Sequence, residues 1–280
     1  MPFELVRTPL DLLRREATLT ERVWVTPNYV RVRLVGEDLR EFTTLGSDDH
    51  VRVFFPTEST DSASWPSREY TPIPVPPGSR ELGTATNTPE TTDTPGALDL
   101  EFVVHSHSAP SAECDPASLT GVGSTWASTA PLGASVVVGG PRGSLVVDGR
   151  PDAWLLAGDE TAIPAIRRFI GLMPADAVGQ VIVEVVDSDH EHDLDAPEGV
   201  DVRWVHRGNH GRESAALAAA LDGITAHERP EGDVFGFVAA EQSIVRAGRA
   251  LLLERWGLEA DHTIIKGYWK RGDDAFHAPH

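Results

Sequence analysis

A short run of residues, Ser67-Arg68-Glu69-Tyr70-Thr71, combines a cation, an aromatic ring and a hydroxyl at strand spacing. Because alternate side chains of a strand share a face, Arg68 and Tyr70 point the same way. Arg68 can then bind a diphosphate while Tyr70 meets an aromatic ring, and the hydroxyl and amide of Thr71 can reach the polar edge of that ring. This set suits an anionic flavin. The same residues also suit an ordinary strand edge, with Tyr70 packed on the sheet and Arg68 solvated.

A second candidate motif covers residues 157–165, where an apolar strand leads into a glycine, polar residues and a helix with proline in its first turn. Gly158 permits close approach of a backbone, and Thr161 can cap the helix and contact a phosphate or a nicotinamide. Asp159 and Glu160 form an acidic pair in the turn between the strand and the helix. Helix capping alone explains Thr161, but it gives no reason for the acidic pair.

A third cluster lies near the end of the chain, where residues 266–272 read Lys-Gly-Tyr-Trp-Lys-Arg-Gly. The segment holds both lysines of the chain beside an arginine and two aromatic residues, and we predict that it follows the last strand. In a chain with so many carboxylates, this cluster is the expected docking point for an anionic ligand.

The composition excludes several classes of protein. The chain of 280 residues has 43 acidic and 24 basic residues, a net charge of −19 that repels nucleic-acid phosphates and anionic lipids. The single cysteine, Cys114, excludes an internal disulfide, a thiolate iron–sulfur cluster and a Cys-rich zinc site, and it fits a reducing cytoplasm. No stretch has the length of a signal peptide or membrane span, so we expect a soluble, monomeric, unexported protein.

One segment, residues 190–193 (His-Glu-His-Asp), alternates imidazole and carboxylate groups as some metal sites do. It lies in a polar stretch after a predicted strand. We therefore predict a solvated loop there and no metal site.

The elements that must position these motifs fall into two halves. From Arg22 to Val147 apolar residues alternate with polar ones in short runs separated by Gly and Pro, which predicts an antiparallel barrel. Two long interruptions, Pro76 to Gly96 and Ser106 to Thr120, are predicted surface loops. After Arg150 apolar strands alternate with helices, which predicts a parallel sheet with ligands at the carboxyl ends of its strands.

The predicted boundary between the two domains gives residues 1–148 and 149–280. In the second domain, the predicted strands are residues 153–157, 181–186, 202–205, 234–238 and 262–265, and the predicted helices are residues 162–172, 213–221 and 242–256.

Together with Gly123-Ser124-Thr125-Trp126-Ala127, these motifs resemble, in order, those of the siderophore-interacting proteins, a branch of the ferredoxin-reductase-like flavoproteins. The resemblance covers nearly the whole chain, and the two later motifs are the most specific. It implies an antiparallel six-stranded FAD-binding β-barrel followed by a parallel-sheet NAD(P)H-binding α/β domain with a basic C-terminal segment. It also implies cytoplasmic reduction of ferric siderophores to release Fe(II), with electrons passing from NAD(P)H through FAD to the chelated iron.

The resemblance assigns roles to individual residues. Those predicted to contact FAD are Arg68, Tyr70, Thr71, His105, Gly123, Ser124 and Thr125. Those predicted to contact the nicotinamide cofactor are Gly158, Asp159, Glu160, Thr161 and Glu241. Tyr268 or Trp269 is predicted to cover the flavin ring, and the predicted siderophore contacts are Arg142, Lys270 and Arg271. No acid or base residue is required for this reaction.

Several of these residues have simpler alternatives. Trp126 suits core packing, and His105 suits ordinary packing at a strand end. Arg142, in the predicted tight turn of residues 139–144, suits a solvated position on a hairpin. Glu241 suits a favourable charge at a helix start.

The sequence departs from the family pattern at two positions. Ile73 stands where the family has a second arginine after the Thr, which removes one expected phosphate or substrate contact. Ala240 replaces a glycine before Glu241. These changes keep two alternatives open: a general flavin or ferredoxin-type reductase with another acceptor, and a flavin- or siderophore-binding protein without turnover.

The sequence also leaves the electron donor open. Asp187 and Asp189 follow the strand whose end reads the adenosine ribose, and carboxylates there favour NADH. Arg203 or Arg207 could instead accept the extra phosphate of NADPH.

Overall fold

The computed structural model describes residues 3–75, 95–106, 119–208, 213–273 and Phe276. The chain forms two compact units, Arg7–Ser144 and Met1–Val6 with Leu145–His280. Most of the two predicted surface loops, and Cys114, lie outside the described residues. Within the described part, no helix is both long and apolar enough to cross a membrane. The predicted domain boundary at residues 148 and 149 stays a prediction.

The first unit is built from short strands. In chain order the first eleven strands are β1 (Glu4–Pro9), β2 (Arg14–Thr26), β3 (Tyr29–Gly36), β4 (Val51–Phe54), β5 (Ser67–Tyr70), β6 (Ile73–Pro74), β7 (Gly96–Val103), β8 (His105–Ser106), β9 (Leu119–Thr120), β10 (Ser135–Gly139) and β11 (Gly143–Asp148). Helix α1 (Val122–Thr129) lies between β9 and β10. Strands β1 and β11 pair with each other, and each contains a unit boundary.

Seven strands of the described residues form one antiparallel sheet in the order β5-β4-β10-β2-β3-β7-β6. The two edge strands, β5 and β6, are separated in the chain only by Thr71 and Pro72. The sheet therefore has to curl into a half-barrel to bring its edges together. The seventh strand, β6, is only two residues long.

Strand β3 shows how the alternating pattern divides core from outer face. Its inward residues are fully buried: Val30, Val32 and Leu34. On the other face Arg31 and Arg33 donate 2.8 Å hydrogen bonds to Glu101 and Asp99 of β7. The charges of this face are thus paired across strands.

The second unit contains a parallel sheet of five strands in the described residues, in the order β14-β13-β12-β15-β16. The strands are β12 (Ala153–Asp159), β13 (Gly179–Val185), β14 (Val200–His206), β15 (Val234–Glu241) and β16 (Thr263–Trp269), and the helices are α2 (Ile163–Ile170), α3 (Ala215–Gly223) and α4 (Ile244–Arg249). A π-helical turn, Ala250–Arg255, continues α4. The strand order reverses between β12 and β15, so ligands are expected beyond the carboxyl ends of these two strands.

The predicted fold class is confirmed in both halves. The last strand was predicted too short, because β16 continues to Trp269. Pairing with β15 persists through a bulge to Glu241, and the Trp269 carbonyl accepts a 2.8 Å hydrogen bond from the Gln242 amide. The prediction that residues 266–269 follow the last strand is therefore wrong.

Candidate functional site

Strand β5 places Arg68 and Tyr70 on the inner face of the half-barrel. Their partners across the strand pair are Val53 and Val51, both fully buried. The Tyr70 ring lies 4.2 Å from the Phe102 ring, centroid to centroid. Burial raises the pKa of the Tyr70 hydroxyl above its ordinary value, and the nearby charge of Arg68 opposes this only in part. The predicted shared face is confirmed, and the hydroxyl is protonated at neutral pH.

Arg68 has unused hydrogen-bonding capacity. Its Nη1 donates to the Ser67 carbonyl at 2.8 Å, and no carboxylate of the described residues pairs with it. The neighbouring carboxylate, Glu69, points to the other face and holds Arg52 at 2.9 Å. A guanidinium has five N–H donors, so Arg68 can bind an anion without breaking an ion pair. Thr71, which follows β5, is buried.

Helix α1 begins beside Tyr70. Its first helical hydrogen bond runs from the Thr125 amide to the Gly121 carbonyl at 3.0 Å, so the preceding amides form a first turn without intrahelical acceptors. A Cβ atom at Gly123 would lie 2.0 Å from the Tyr70 hydroxyl. Glycine at position 123 therefore allows α1 to approach β5 closely.

Ser124 is buried and ties α1 to the preceding strands. Its hydroxyl donates to the Val103 carbonyl at 3.1 Å and accepts from the His105 amide at 3.3 Å. Any contact with a flavin phosphate would have to use the remaining lone pair of this oxygen. Trp126 lies in the core, with its ring centroid 5.6 Å from that of Phe55, which confirms the packing role expected for it.

Arg142 lies in a tight turn between β10 and β11, as predicted. The turn contains a cis peptide bond at Gly140-Pro141 and is held by Arg15, whose Nη1 donates to the Gly140 carbonyl at 2.9 Å. The Leu10 amide donates to the Arg142 carbonyl at 3.1 Å. The Arg142 side chain is exposed and has no polar partner in the described part of the chain.

Asp49, which the sequence reasoning missed, supports the strand after this turn. A single oxygen of Asp49, Oδ2, accepts hydrogen bonds from the hydroxyls of Ser144 (2.6 Å) and Thr44 (2.7 Å) and from the amides of Leu45 and Gly46. The available signal was an acidic residue in the short polar stretch between Gly46 and the apolar strand, a composition that is common in turns.

In the α/β unit, Asp159 lies at the end of β12 and is almost completely buried. Its Oδ1 accepts from the amide of Thr161 at 2.9 Å and from the Thr161 hydroxyl. Its Oδ2 accepts from the indole nitrogen of Trp269 at 2.8 Å and from the Glu241 amide at 3.2 Å. Burial and then the charge of Glu160 raise the pKa of Asp159, and these hydrogen bonds lower it only in part.

This arrangement corrects the role predicted for Thr161. The capping residue of the short 3₁₀ turn before α2 is Asp159, and Thr161 donates to it. Gly158 does allow close backbone approach, but of the protein's own parts: a Cβ there would lie 2.4 Å from Ala162 Cβ and 2.8 Å from the Ala239 carbonyl oxygen. The space over Gly158 is therefore already filled.

Glu160 is buried in an ion pair with Arg207. Nη1 of Arg207 donates to Oε2 of Glu160 at 2.9 Å, and Nη2 lies 2.7 Å from Oε1. A second carboxylate, Glu184, lies 3.9 Å from Arg207 and accepts 2.7 Å hydrogen bonds from the amides of Ser214 and Leu217 at the start of α3. The acidic pair that capping did not explain thus has structural partners.

The ends of β15 and β16 are also joined by a carboxylate. Glu241 is buried and accepts from the Ser243 amide at 2.7 Å and from the Arg271 amide at 3.4 Å. Tyr268 is half-buried, with its ring 6.5 Å from that of Phe237. Ala240 is fully buried in the core on the α3 and α4 side of the sheet, so its methyl group packs inside the protein.

The two basic residues after β16 differ in their surroundings. Both side chains are exposed. The guanidinium of Arg271 forms an ion pair with Glu213, whereas Lys270 has no partner within the described ranges. Only Lys270 is therefore available to an anion without breaking an ion pair.

The prediction of a solvated loop at residues 190–193 is wrong for two side chains. His190 and His192 are buried. His190 lies 2.6 Å from Asp187, and Nδ1 of His192 lies 2.9 Å from Nη2 of Arg167. The ring of His192 also stacks on that of Trp204, with centroids 6.4 Å apart. In the part of the chain described, no three His, Cys, Asp or Glu residues are grouped as a metal site.

Comparison with known proteins covers both units. A family model described as "siderophore-interacting FAD-binding domain" matches residues 18–145, and one described as "siderophore-interacting protein" matches residues 151–272. The chain is 30% identical to ferric vibriobactin reductase ViuB of Vibrio cholerae, over 96% of this chain and 92% of that protein. It is 29% identical to an NADPH-dependent ferric-chelate reductase of Escherichia coli, over 84% and 85% of the two chains. A crystal structure of a siderophore utilization protein from T. fusca matches with a TM-score of 0.75 and 28% identity, over 96% and 97% of the chains.

Proposed function

The chain belongs to the siderophore-interacting protein family, and we propose that it is a cytoplasmic reductase of ferric siderophores with noncovalently bound FAD and NADH or NADPH as electron donor. Its relatives include two proteins named as ferric or ferric-chelate reductases. The substrate is an iron chelate, and ferrous iron is held less tightly than ferric iron by the hard oxygen ligands of such chelates.

The residues of the first unit fit FAD. Arg68 offers N–H donors without a competing carboxylate among the described residues, and the first turn of α1 offers amides at the positive end of a helix. Tyr70 and Thr71 supply a ring and a hydroxyl next to Arg68. When bound, FAD supplies a group that accepts electrons in pairs and can give them up singly.

The residues of the second unit suit a nicotinamide cofactor. The turn from Gly158 to Thr161 follows the carboxyl end of β12, where the strand order reverses. Asp159 fixes this turn and also holds the ends of β15 and β16. We infer that its role is to keep the turn rigid, because both of its oxygens already accept hydrogen bonds from the protein.

Two cations are available for an anionic chelate. Arg142 and Lys270 are exposed and unpaired among the described residues. An exposed cation attracts a negatively charged ligand without paying for a broken ion pair. Arg271 can bind the chelate as well only if the chelate displaces Glu213 from its ion pair.

The single observation that carries the proposal is the position of Arg68, on the same face as Tyr70 and without a carboxylate partner in the described residues. It gives the first unit a cation next to an aromatic ring, as binding of a flavin diphosphate requires.

The test is an anaerobic spectral titration of the purified protein. We expect a yellow preparation, bleaching by NADH or NADPH, and return of the colour on addition of a ferric siderophore. A protein that stays colourless after reconstitution with excess FAD would rule the proposal out.

A second candidate is a reductase of the same kind with another electron acceptor. The ion pair of Arg271 with Glu213, and Ile73 in place of an arginine, reduce the number of cations that could hold a chelate. This alternative predicts bleaching by the donor but return of the colour with ferredoxin and not with the ferric siderophore.

A further inference from the structure

We propose that the electron-donor site accepts NADH and discriminates against NADPH, because Arg207 is held by Glu160 and Glu184. This inference rests on the proposed function and names the donor for the same site. NADPH differs from NADH by one phosphate on the adenosine ribose, so a site that accepts it needs a cation that is free to bind that phosphate.

Arg207 is the residue placed to meet such a phosphate. It follows β14 directly, at the carboxyl edge of the parallel sheet, where its amide donates to the Val185 carbonyl at the end of β13 at 3.0 Å. Asp187 follows β13 at the same edge. This is the edge at which parallel sheets bind the adenosine ribose.

The guanidinium of Arg207 is already engaged. It faces Glu160 through two nitrogens, at 2.9 and 2.7 Å, with Glu184 at 3.9 Å, and its side chain is 11% exposed. Burial lowers the pKa of Arg207, but the charges and hydrogen bonds of the carboxylates outweigh this, so the pKa is raised overall. The guanidinium is therefore fully charged and held in place by the two carboxylates.

Moving Arg207 to a phosphate would leave two buried carboxylates without their cation. Glu160 is 5% exposed and Glu184 is completely buried, and a buried charge that loses its partner is strongly unfavourable. The carboxylates would also repel the two negative charges of the phosphate. The two carboxylates thus disfavour NADPH binding in two ways: they hold the cation, and their negative charges repel the phosphate.

Arg203, the other arginine considered for this role, is not at the edge. It pairs in register with Ile182, three residues before β13 ends at Val185. At about 3.3 Å per residue, its backbone lies roughly 10 Å from the carboxyl edge of the sheet. Its side chain is exposed, without an ion pair in the described residues, so it can serve as a control.

The decisive measurement is calorimetric binding of ADP-ribose and of its 2′-phosphate to the holoprotein, which requires no electron transfer. We expect ADP-ribose to bind at least about 10-fold more tightly, as like charges at close range predict. Tighter binding of the 2′-phosphate would overturn the inference and leave the proposed function intact. Failure of both ligands to bind would overturn the donor site itself, and the inference with it.

Variants test whether the ion pairs of Arg207 cause the discrimination against the 2′-phosphate. Glu160→Gln keeps the shape but removes one negative charge, and we expect it to improve binding of the 2′-phosphate relative to ADP-ribose by several-fold. Two control variants are expected to leave the ratio of the two affinities unchanged. One is Arg203→Ala, and the other is Arg150→Ala, which removes an exposed arginine that pairs with the exposed Asp176. A selective loss of 2′-phosphate binding in Arg207→Ala would show that Arg207 does serve the phosphate. If Arg207→Ala does not fold, the inference is still tested by the ratio of the two affinities in the wild type and by its change in Glu160→Gln.

Discussion

Asp159 accepts a 2.8 Å hydrogen bond from the indole nitrogen of Trp269, 110 residues further along the chain. The same carboxylate oxygen accepts from the Glu241 amide, so one buried group joins the ends of β12, β15 and β16. These strand ends surround the point where the sheet reverses its order. The arrangement makes the geometry of the proposed donor site depend on a single carboxylate.

Replacing Trp269 with phenylalanine removes this hydrogen bond and keeps an aromatic ring. We expect the free energy of unfolding to fall by about 1–3 kcal/mol, the usual cost of losing a buried hydrogen bond to a charged group. Trp65→Phe is the matched control, since its indole nitrogen donates to the Ser59 carbonyl at 2.8 Å in an exposed position. Urea unfolding measures the free energy of unfolding of both variants. An equal decrease in the two would contradict the role given to Asp159.

The contact of Gly123 with Tyr70 can be tested by adding a methyl group. Gly123→Ala would place Cβ 2.0 Å from the Tyr70 hydroxyl, so we expect a loss of about 1–3 kcal/mol in stability and less bound FAD. In the Tyr70→Phe background, which lacks that hydroxyl, Gly123→Ala should cost less stability than it does in the wild type.

The control for this pair is Gly223→Ala, at the end of α3, where nothing lies within 4 Å of the added Cβ. It should leave stability within about 1 kcal/mol of the wild type. If the double variant recovers nothing, the close approach of α1 to β5 is not the cause of the loss.

The role of Arg68 in flavin binding follows from its lack of a carboxylate partner in the described chain. Arg68→Ala should raise the Kd for FAD by about 10- to 100-fold, the loss of charge-assisted hydrogen bonds to phosphate, with little change in stability. Arg52→Ala is the control, because Arg52 lies on the adjacent strand and pairs with Glu69 on the other face. Fluorescence titration of the apoprotein with FAD measures the Kd of each variant. Equal Kd values for the two variants would contradict a role of Arg68 in flavin binding.

The two basic residues after β16 should differ in their effect on the substrate. Lys270→Ala is expected to raise the KM for an anionic ferric chelate by about 2- to 5-fold, a typical value for an exposed charge. Arg271→Ala should change it less, since Arg271 is already paired with Glu213. A neutral ferric chelate should show neither effect in steady-state kinetics. A larger effect of Arg271→Ala would mean that the chelate displaces Glu213.

The pH dependence of stability should report the bond between Asp187 and His190. The side-chain hydrogen bond from His190 is the main cause that lowers the pKa of Asp187 below 3.8. A carboxyl group with a depressed pKa in the folded state stabilises the fold above its unfolded pKa, and this stabilisation is lost as pH falls through the folded pKa. The difference in unfolding free energy between wild type and Asp187→Asn should therefore shrink below about pH 4. A difference that does not change with pH would contradict this role of the hydrogen bond.

Much of the architecture could be predicted from local pattern. The alternation of Val30, Val32 and Leu34 with arginines predicts a half-buried strand, and the glycine and proline around residues 158–164 predict a strand followed by a helix. These signals are local, because they depend on which face of an element meets the core. They gave the two fold classes and the shared face of Arg68 and Tyr70 correctly.

The partners of polar side chains could not be predicted in this way. Trp269 reaches Asp159 across 110 residues, and Arg207 reaches Glu160 across 47. Such pairs depend on the order of strands in the sheet, which the sequence pattern leaves open. The burial of His190 was missed for a different reason: its 2.6 Å contact with Asp187 lies within one local turn, whose polar composition favoured a solvated loop.

The paired charges between β3 and β7 bear on how the half-barrel assembles. A slip of one residue between these strands would place Arg33 and Asp99, both buried, opposite apolar neighbours and would turn Val32 toward the outside. A pairing of β3 with β7 that is out of register is therefore unfavourable for two reasons: it leaves buried charges unpaired and it exposes apolar side chains. The newly made chain can reject such a pairing before any cofactor is present, so correct alignment of these two strands does not have to wait for the flavin.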